Sequence, residues 1–520
     1  MAIVYPLANG NWSSVANWYS GGVAYGQLPL STDDVYADGK TVVIDVDITV
    51  NLLTTLQRVG GANPNTGGFT CSTARTLNIA NISGVYACLT LTATGVTQNI
   101  ISTSISSYIL AAGTQGTVQI TGTSGTVNIT ATNIFQTGYQ AAACIYNFGT
   151  TTLNVIGNTS GNASSAITNN NGILNFTGNI QSTTNSLTSI NQNAAGGTTN
   201  IIGNLTGGLG TNGYCVYNTL GTVNILSNQT MSGTAGIGVY SNNGTTNFGT
   251  VGSPITITGA PSSAASGLYA CYHVGGGNVN LYGNIVQQSY SSSVSIGLFR
   301  YGSTSGTMTI NGNITAGTVA NTIGLNIENT GTVTVNGNVT GGSNATNTPA
   351  ISMSQAGTIN LNGNATAGSF PAINSSVTTA KFNLLGNVTN VAGMPAYYGS
   401  YNIKISPTVA QQFTFQDTSN ANRVIATSNI SPGAPAIANV RYGTVYGSTG
   451  EYTGTLRVPN PNTVSLGVLT DNTTGTMLMT PSDFWNTLTS GLTTSGSIGE
   501  RLKNASTVQT TGDQIASYQV

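Results

Sequence analysis

Two side chains in the middle of this 520-residue sequence are candidates for acid–base chemistry: His273, the one histidine, and Glu328, the one acid between Asp47 and Asp417. Hydrolysis of a glycosidic bond ordinarily uses two carboxylates about 5 to 9.5 Å apart, one protonating the leaving oxygen and one attacking or activating water. Glu328 alone cannot supply the pair, and a symmetric assembly would add only further copies of it. In "NIENTG" it reads as an exposed strand residue. His273 follows Tyr272, with no carboxylate close by in sequence and no serine in an elbow context, so it reads as a hydrogen-bonded surface or core residue rather than a general base. The Gly-rich "VGGGN" lacks the lysine and the strand-to-helix setting of a phosphate loop.

The remaining reactive residues point the same way. Cys71, Cys88, Cys144, Cys215 and Cys271 form no CxxC pair, and "ACIYN", "YCVYN" and "ACYHV" look like one position on successive repeats. There a cysteine serves as a small buried apolar group, and the clustered ligands of a His/Cys metal site are missing. Asp33, Asp34, Asp38, Asp45 and Asp47 crowd into one stretch; Ca²⁺ would suit such a cluster, but acids in the turns of a cap are commoner. No cofactor and no catalysis are expected. Aromatics recur as Tyr146, Tyr217, Tyr240, Tyr272, Phe299 and Tyr301. Facing outward among Asn and Ser, they would suit stacking on sugar rings or a protein partner. Their spacing favours the core or a subunit interface.

What must position these residues is a repeat. "GTVTVNGNVTGG" from Gly331 echoes "GTTNIIGNLTGG" from Gly197, "GTMTINGNITAG" from Gly306 and "GTINLNGNATAG" from Gly357. The opening glycine returns at Gly125, Gly149, Gly172, Gly197, Gly221, Gly244, Gly277, Gly306, Gly331 and Gly357, at intervals of 23 to 26 residues apart from steps of 33 to Gly277 and 29 to Gly306. Between markers, apolar and polar residues alternate with period two rather than 3.6, which excludes a helical repeat. Three short strands with their turns use up roughly 24 residues, one rung of a right-handed parallel β-helix. An all-β solenoid is therefore expected. The two long intervals hold candidate surface loops.

Each phrase contains a Gly-Asn step, and these place a corner between strands at Asn158, Asn179, Asn204, Asn284, Asn313, Asn338, Asn364 and Asn387, with Ser227-Asn228 as a variant. Glycine supplies positive φ freely and asparagine tolerates it. Stacked at about 4.8 Å, the corner asparagines are expected to hydrogen-bond as a ladder. The Asn-x-Ser/Thr triplets that result are turn chemistry rather than glycosylation signals.

The chain divides into an N-terminal β cap over 1–58, the β-helix over 59–395, a small β module over 396–478 and a short helical tail over 479–520. The cap carries Trp12, Trp18 and the acids. After Gly393 the phrase stops and hairpins with Gly-containing turns follow. The tail shows two helix starts: Thr480, Pro481 and Asp483 open one, Ser497 and Glu500 the other. Phe484 and Trp485 on an apolar face need something to bury against.

Charged residues make up 4% of the chain and hydrophobic ones 39%, with a formal net charge of −1. Alternating apolar residues argue against disorder. So thin a charge offers no stripe for nucleic acid and no patch for an anionic membrane, and no apolar run approaches the roughly 18 residues of a membrane span. The opening "MAIVYPLANGNW" has neither a basic nor an apolar signal region, so synthesis and folding in a cytoplasm are expected.

The N-terminal "GNWSSVANW", "DDVYADGKTVVIDVDITV" and "GGFTCSTARTLNI" resemble the opening of β-helical structural proteins encoded by tailed bacteriophages. The C-terminal "VRYGTVYG", "GEYTGTLRVP", "DNTTGT" and "LTTSGSIGERLKNASTV" resemble the tails of phage virion proteins. The resemblance implies a virion component, a tail fibre, spike or other surface appendage, commonly a homotrimer. Its partners would be other copies, other virion proteins and a host-surface glycan, with no nucleic acid or membrane. Tyr272, His273, Phe299, Tyr301 and Trp485 are the candidate interface or recognition residues. A bacterial β-helical adhesin is the alternative, and a polysaccharide depolymerase a third reading that the single mid-chain acid disfavours.

Overall fold

The computed structural model describes residues 1–59, 67–84, 87–107, 116–136, 143–161, 165–182, 188–206, 213–231, 236–259, 268–287, 299–301, 306–317, 323–328, 330–342, 349–366, 372–375 and 381–384. Beyond these it describes 388–389, 397–398, 402–405, 412–416, 422–426, 444–446, 452–453, 463–470, 473–474, 476–477, 495, 500, 501 and 504. Two compact units result, Met1–Pro432 and Gly433–Val520.

The first unit is a parallel β-solenoid with three strand columns, called here faces 1, 2 and 3. A typical rung runs Ile173–Thr177 on face 1, Ile180–Ser182 on face 2 and Thr188–Gln192 on face 3, then returns to face 1 at Thr198–Ile202, paired in parallel with Ile173–Thr177. Face 1 is a parallel ladder from Ile3–Pro6 through to Asn402–Ile405. Face 3 runs from Gly10–Asn11 to Gln412–Gln416. The expected rung is therefore present with its expected period.

Alternation builds the core. In Thr222–Ile225, Val223 and Ile225 are buried while Thr222 and Asn224 point outward, as successive strand residues must. Buried residues stack in register from rung to rung, for example Val4, Val35, Leu53, Ile82, Ile105 and Ile134. Each such burial is worth about 1.5–3 kcal/mol.

That column begins at Val4, so the segment expected to form a separate cap is already wound into the coil. Its capping part is narrower. Trp18–Ser20 pairs antiparallel with Ile3–Pro6 and with Val23–Ala24, and Trp18 stands edge-on to Trp12 with centroids 4.8 Å apart, its Nε1 donating to the Trp12 carbonyl at 2.9 Å. The far end likewise passes residue 395: Asn402–Ile405 still pairs in parallel, and the antiparallel hairpin of Gln412–Gln416 with Asn422–Ala426 follows.

In the second unit the described strands form two short antiparallel hairpins, Val445–Tyr446 with Tyr452–Thr453 and Leu469–Thr470 with Thr473–Thr474. Of the expected terminal helices, Glu500, Arg501 and Asn504 are described and helical; Thr480, Pro481, Asp483, Phe484, Trp485 and Ser497 lie outside the described residues.

Candidate functional site

Face 3 carries the concentration of aromatic side chains. Tyr217, Tyr240 and Tyr272 occupy one register position on three successive rungs and are half-exposed, while their neighbours Asn218, Ser241 and His273 are fully buried. The tyrosines therefore face outward, which removes the core from the expected pair of core or subunit interface. Pleating decides it: once Val216, Val239 and Cys271 are buried, the next residue must turn out.

The rings touch across rungs. Tyr217 and Tyr240 stack at 5.0 Å, Tyr240 meets Tyr272 edge-on at 5.5 Å, and Tyr214 packs on Tyr240 at 4.4 Å. Burial, then the neighbouring phenols, push the Tyr214 hydroxyl up to about 12, and burial raises Tyr240 too, so both stay neutral hydrogen-bonding groups at ordinary pH. Towards the N-terminus the same column continues through Asn191 and Thr168 to Tyr146. Tyr146 stacks on Phe148 at 3.8 Å, and its hydroxyl accepts from Nδ2 of Asn170 at 3.3 Å. Beyond Tyr272 the column passes to Arg300 and Asn326. Phe299 and Tyr301 take instead the register of Cys271 and His273.

His273 is inside the coil, which overturns its candidacy as an exposed recognition residue. Burial drives its pKa down to about 4, against a smaller upward pull from the backbone of Gly277 and Gly275. It ends an interior column of polar residues, Asn147, Asn169, Gln192, Asn218 and Ser241. Asn147 donates to Asn169 at 3.0 Å, Asn169 to Gln192 at 2.9 Å, and Thr199 hydroxyl to Gln192 at 2.8 Å. These residues end their strands and look like turn residues in sequence; only their repeat at rung spacing betrays them.

The corner asparagines stack as expected, by a different bond. Asn158 Oδ1 accepts from the backbone N–H of Asn179 at 3.1 Å, Asn284 from Asn313 at 2.9 Å, Asn313 from Asn338 at 2.9 Å and Asn338 from Asn364 at 2.8 Å. Asn228 accepts in the same way from Thr256 at 2.8 Å. The Asn204 carbonyl receives the N–H of Ile180 at 2.9 Å, and Asn387 lies outside the described residues. The amide-to-amide ladder stands instead on face 1, where Asn99, Asn128, Asn154, Asn175, Asn200, Asn224, Asn247 and Asn280 are linked side chain to side chain at 2.7–2.9 Å. Its sequence signal is the asparagine of "TVNI", "TLNV" and "ILNF".

At the corners glycine is needed twice over. Gly178 has φ 146° and Gly283 φ 134°, and a side chain on Gly178 would meet the Gly157 carbonyl oxygen at 1.7 Å.

The acids are engaged in structure. Asp33, 2% exposed, accepts from Ala2 N–H at 3.1 Å, Leu30 N–H at 2.8 Å and Tyr25 hydroxyl at 2.6 Å. Asp34 accepts from Asn51, Asp45 from Ser13, and Asp47 from the Thr76 N–H. Asp38 pairs with Arg58 at 2.8 Å, whose guanidinium lies over the Tyr5 ring at 3.7 Å. Glu328 is half-buried and accepts from Asn326 at 3.0 Å. Among the described residues no three His, Cys, Asp or Glu side chains converge as a metal site. All five cysteines are buried and unbridged. Cys271 shares the register of Val239, one position along from Cys215, so the cysteines do not all occupy one equivalent place.

Face 2 carries a shallow groove of about 460 Å³, lined by Asn133, Phe135, Asn158, Ser160, Asn179 and Gln181. It offers amides, hydroxyls and one ring, which can hold a polar ligand but supply no proton relay. No known family, curated protein or solved structure matches the chain.

Proposed function

We propose that the protein is a non-enzymatic structural component of a tailed-phage virion, an elongated surface appendage whose solenoid holds a tyrosine strip against a host-surface glycan. The observation that carries the reading is the run of Tyr214, Tyr217, Tyr240 and Tyr272 on the outside of a stack fixed by amide bonds. Rings held by their neighbours lose little freedom on binding, and stacking on a sugar face costs them no charge desolvation. The acid–base groups have structural employment: His273 is interior and Glu328 is engaged by Asn326. The resemblance of the two chain ends to phage virion proteins supplies the setting.

Antibody labelling of intact particles by electron microscopy tests the setting, and particles without bound label would refute it. For the strip, purified protein is incubated with host cells before and after Tyr217→Ala, Tyr240→Ala and Tyr272→Ala are combined. Binding is expected to fall at least tenfold with the fold unchanged by circular dichroism; undiminished binding would overturn the assignment. Release of oligosaccharide from host capsule, abolished by Glu328→Gln, would replace this reading with a depolymerase.

A further inference from the structure

Face 1 presents three outward columns. Beside the asparagine ladder runs a column of threonines, with Thr126, Thr152, Thr198, Thr222 and Thr245 in register around Ile173. On its other side large and small residues alternate rung by rung: Ile101, Thr130, Ile156, Thr177, Ile202, then Leu226 after Ile225, which pairs with Ile201. Ile101, Ile156 and Ile202 are 52%, 57% and 51% exposed. Isoleucines left half in water at every second rung, on strands from Thr97–Ser107 to Thr245–Phe248 that carry no charged residue, make an ordered apolar row.

We propose that face 1 is the surface on which two copies of this chain pair, antiparallel, about a twofold axis lying along the strand direction between the rungs of Ile156 and Thr177. That operation lays the Ile/Thr column on itself in reverse. Ile156 then faces Thr177 of the second copy, Thr130 faces Ile202, and Ile101 faces Leu226, so each projecting isoleucine except the last meets a smaller residue. The column is self-complementary, which an isologous contact requires.

Period selects the partner. The asparagine side chains repeat at the strand spacing of about 4.8 Å, and each amide spends one donor and one acceptor along its own ladder, leaving a second of each for groups opposite. A surface that matches this spacing over many rungs is another β-stack, and this chain supplies one. Under that operation the rungs from Ile3–Pro6 to Thr332–Val335 face their symmetry mates, roughly 65 Å by 15 Å at that spacing and a strand rise of about 3.3 Å per residue, near the roughly 800 Å² per partner of a stable interface. Flat face on flat face gives two copies, not the three expected from the family resemblance. The inference stands independently of where the protein is displayed.

The test uses the full chain. Sedimentation is expected to give twice the chain mass for the natural sequence and a single chain mass for Ile101→Lys, Ile156→Lys and Ile202→Lys combined, with an unchanged circular dichroism spectrum. Independently, Thr130→Cys with Ile202→Cys is expected to form a disulfide-linked dimer under mild oxidation, while either substitution alone does not. A natural chain that sediments as one copy or three, a lysine variant that stays paired, or a double-cysteine variant that fails to link would each overturn the proposal.

Discussion

Asn200 donates from Nδ2 to Oδ1 of Asn175 at 2.8 Å, although 25 residues separate them in the chain. Asn200 in turn accepts from Asn224 at 2.7 Å, so one side chain couples three rungs. Asn200→Ala removes both bonds, each worth about 1 kcal/mol net, and is expected to lower the unfolding free energy by roughly 1–2 kcal/mol in a urea titration. Asn200→Asp keeps the acceptor but turns a carboxylate oxygen towards the Asn175 oxygen. Its penalty relative to the natural chain is expected to shrink on acidification, because the protonated carboxyl regains a donor.

A Cβ on Gly312 would stand 1.5 Å from the carbonyl oxygen of Gly283 on the neighbouring rung. No rotamer relieves a clash between backbones, so Gly312→Ala must push two rungs apart and is expected to cost about 3 kcal/mol or more. Gly252 has nothing within 4 Å of its would-be side chain. Gly252→Ala is expected to fall within about 0.5 kcal/mol of the natural chain. Equal losses at the two positions, compared by thermal melting, would refute the close-stacking account.

These glycines and asparagines mark what was legible in the sequence. Period-two alternation between regularly spaced glycines determines a stacked coil, because no other arrangement buries Val223 and Ile225 on every turn. The Gly-Asn corner was legible for the same reason. Which asparagines join amide to amide was not, since period alone stacks every asparagine of the phrase and only the pleat aims Asn175 at Asn200. The outward turn of Tyr240 was hidden likewise: the spacing of tyrosines is the same on either face, and the sign was set by Val239 beside it. The interior run from Asn147 to His273 contradicts the habit of placing polar residues outside; Asn147, Asn169 and Gln192 satisfy one another, and Asn218 and Ser241 bond Thr245 and Thr246 of the adjoining strand.

His273 makes the fold sensitive to acid. Its pKa in the folded chain is about 4 against an ordinary 6.5, so between these values the unfolded chain binds the proton more readily. Stability is therefore complete above about pH 6.5, falls as the pH drops towards 4, and below that the whole penalty of roughly 3 kcal/mol is present. His273→Asn is expected to flatten this part of the profile. Urea midpoints at pH 4.5 and 7.5 for both proteins measure it, and parallel profiles would exclude His273 as the source.

The cysteines should be silent in the native state. Burial pushes the Cys144 thiol up to about 12 and raises Cys88 and Cys271 as well, and a thiol reacts through its thiolate. With a disulfide-exchange reagent at pH 8 the folded protein is expected to release almost no chromophore over minutes, and all five thiols to react in concentrated urea. Rapid labelling of the native chain would mean that the coil opens at these rungs.

Asp33 is the polar centre of the first turn. It receives the Ala2 and Leu30 N–H groups and the Tyr25 hydroxyl, and Asp34 beside it opens the strand that pairs with Ile3–Pro6. Removing the carboxylate takes the acceptor from three part-buried donors, and a hydrogen bond to a charged group is worth about 1.5–3 kcal/mol. Asp33→Ala is expected to lose roughly 3–5 kcal/mol. Asp33→Asn should lose less, because the amide oxygen still accepts one or two of those bonds. The loss should appear first at this end of the coil, where Trp12 and Trp18 stand against each other, so tryptophan fluorescence is expected to change before the far-ultraviolet β signal. A single transition shared by both probes in Asp33→Ala would show instead that the first turn unfolds only with the rest of the stack.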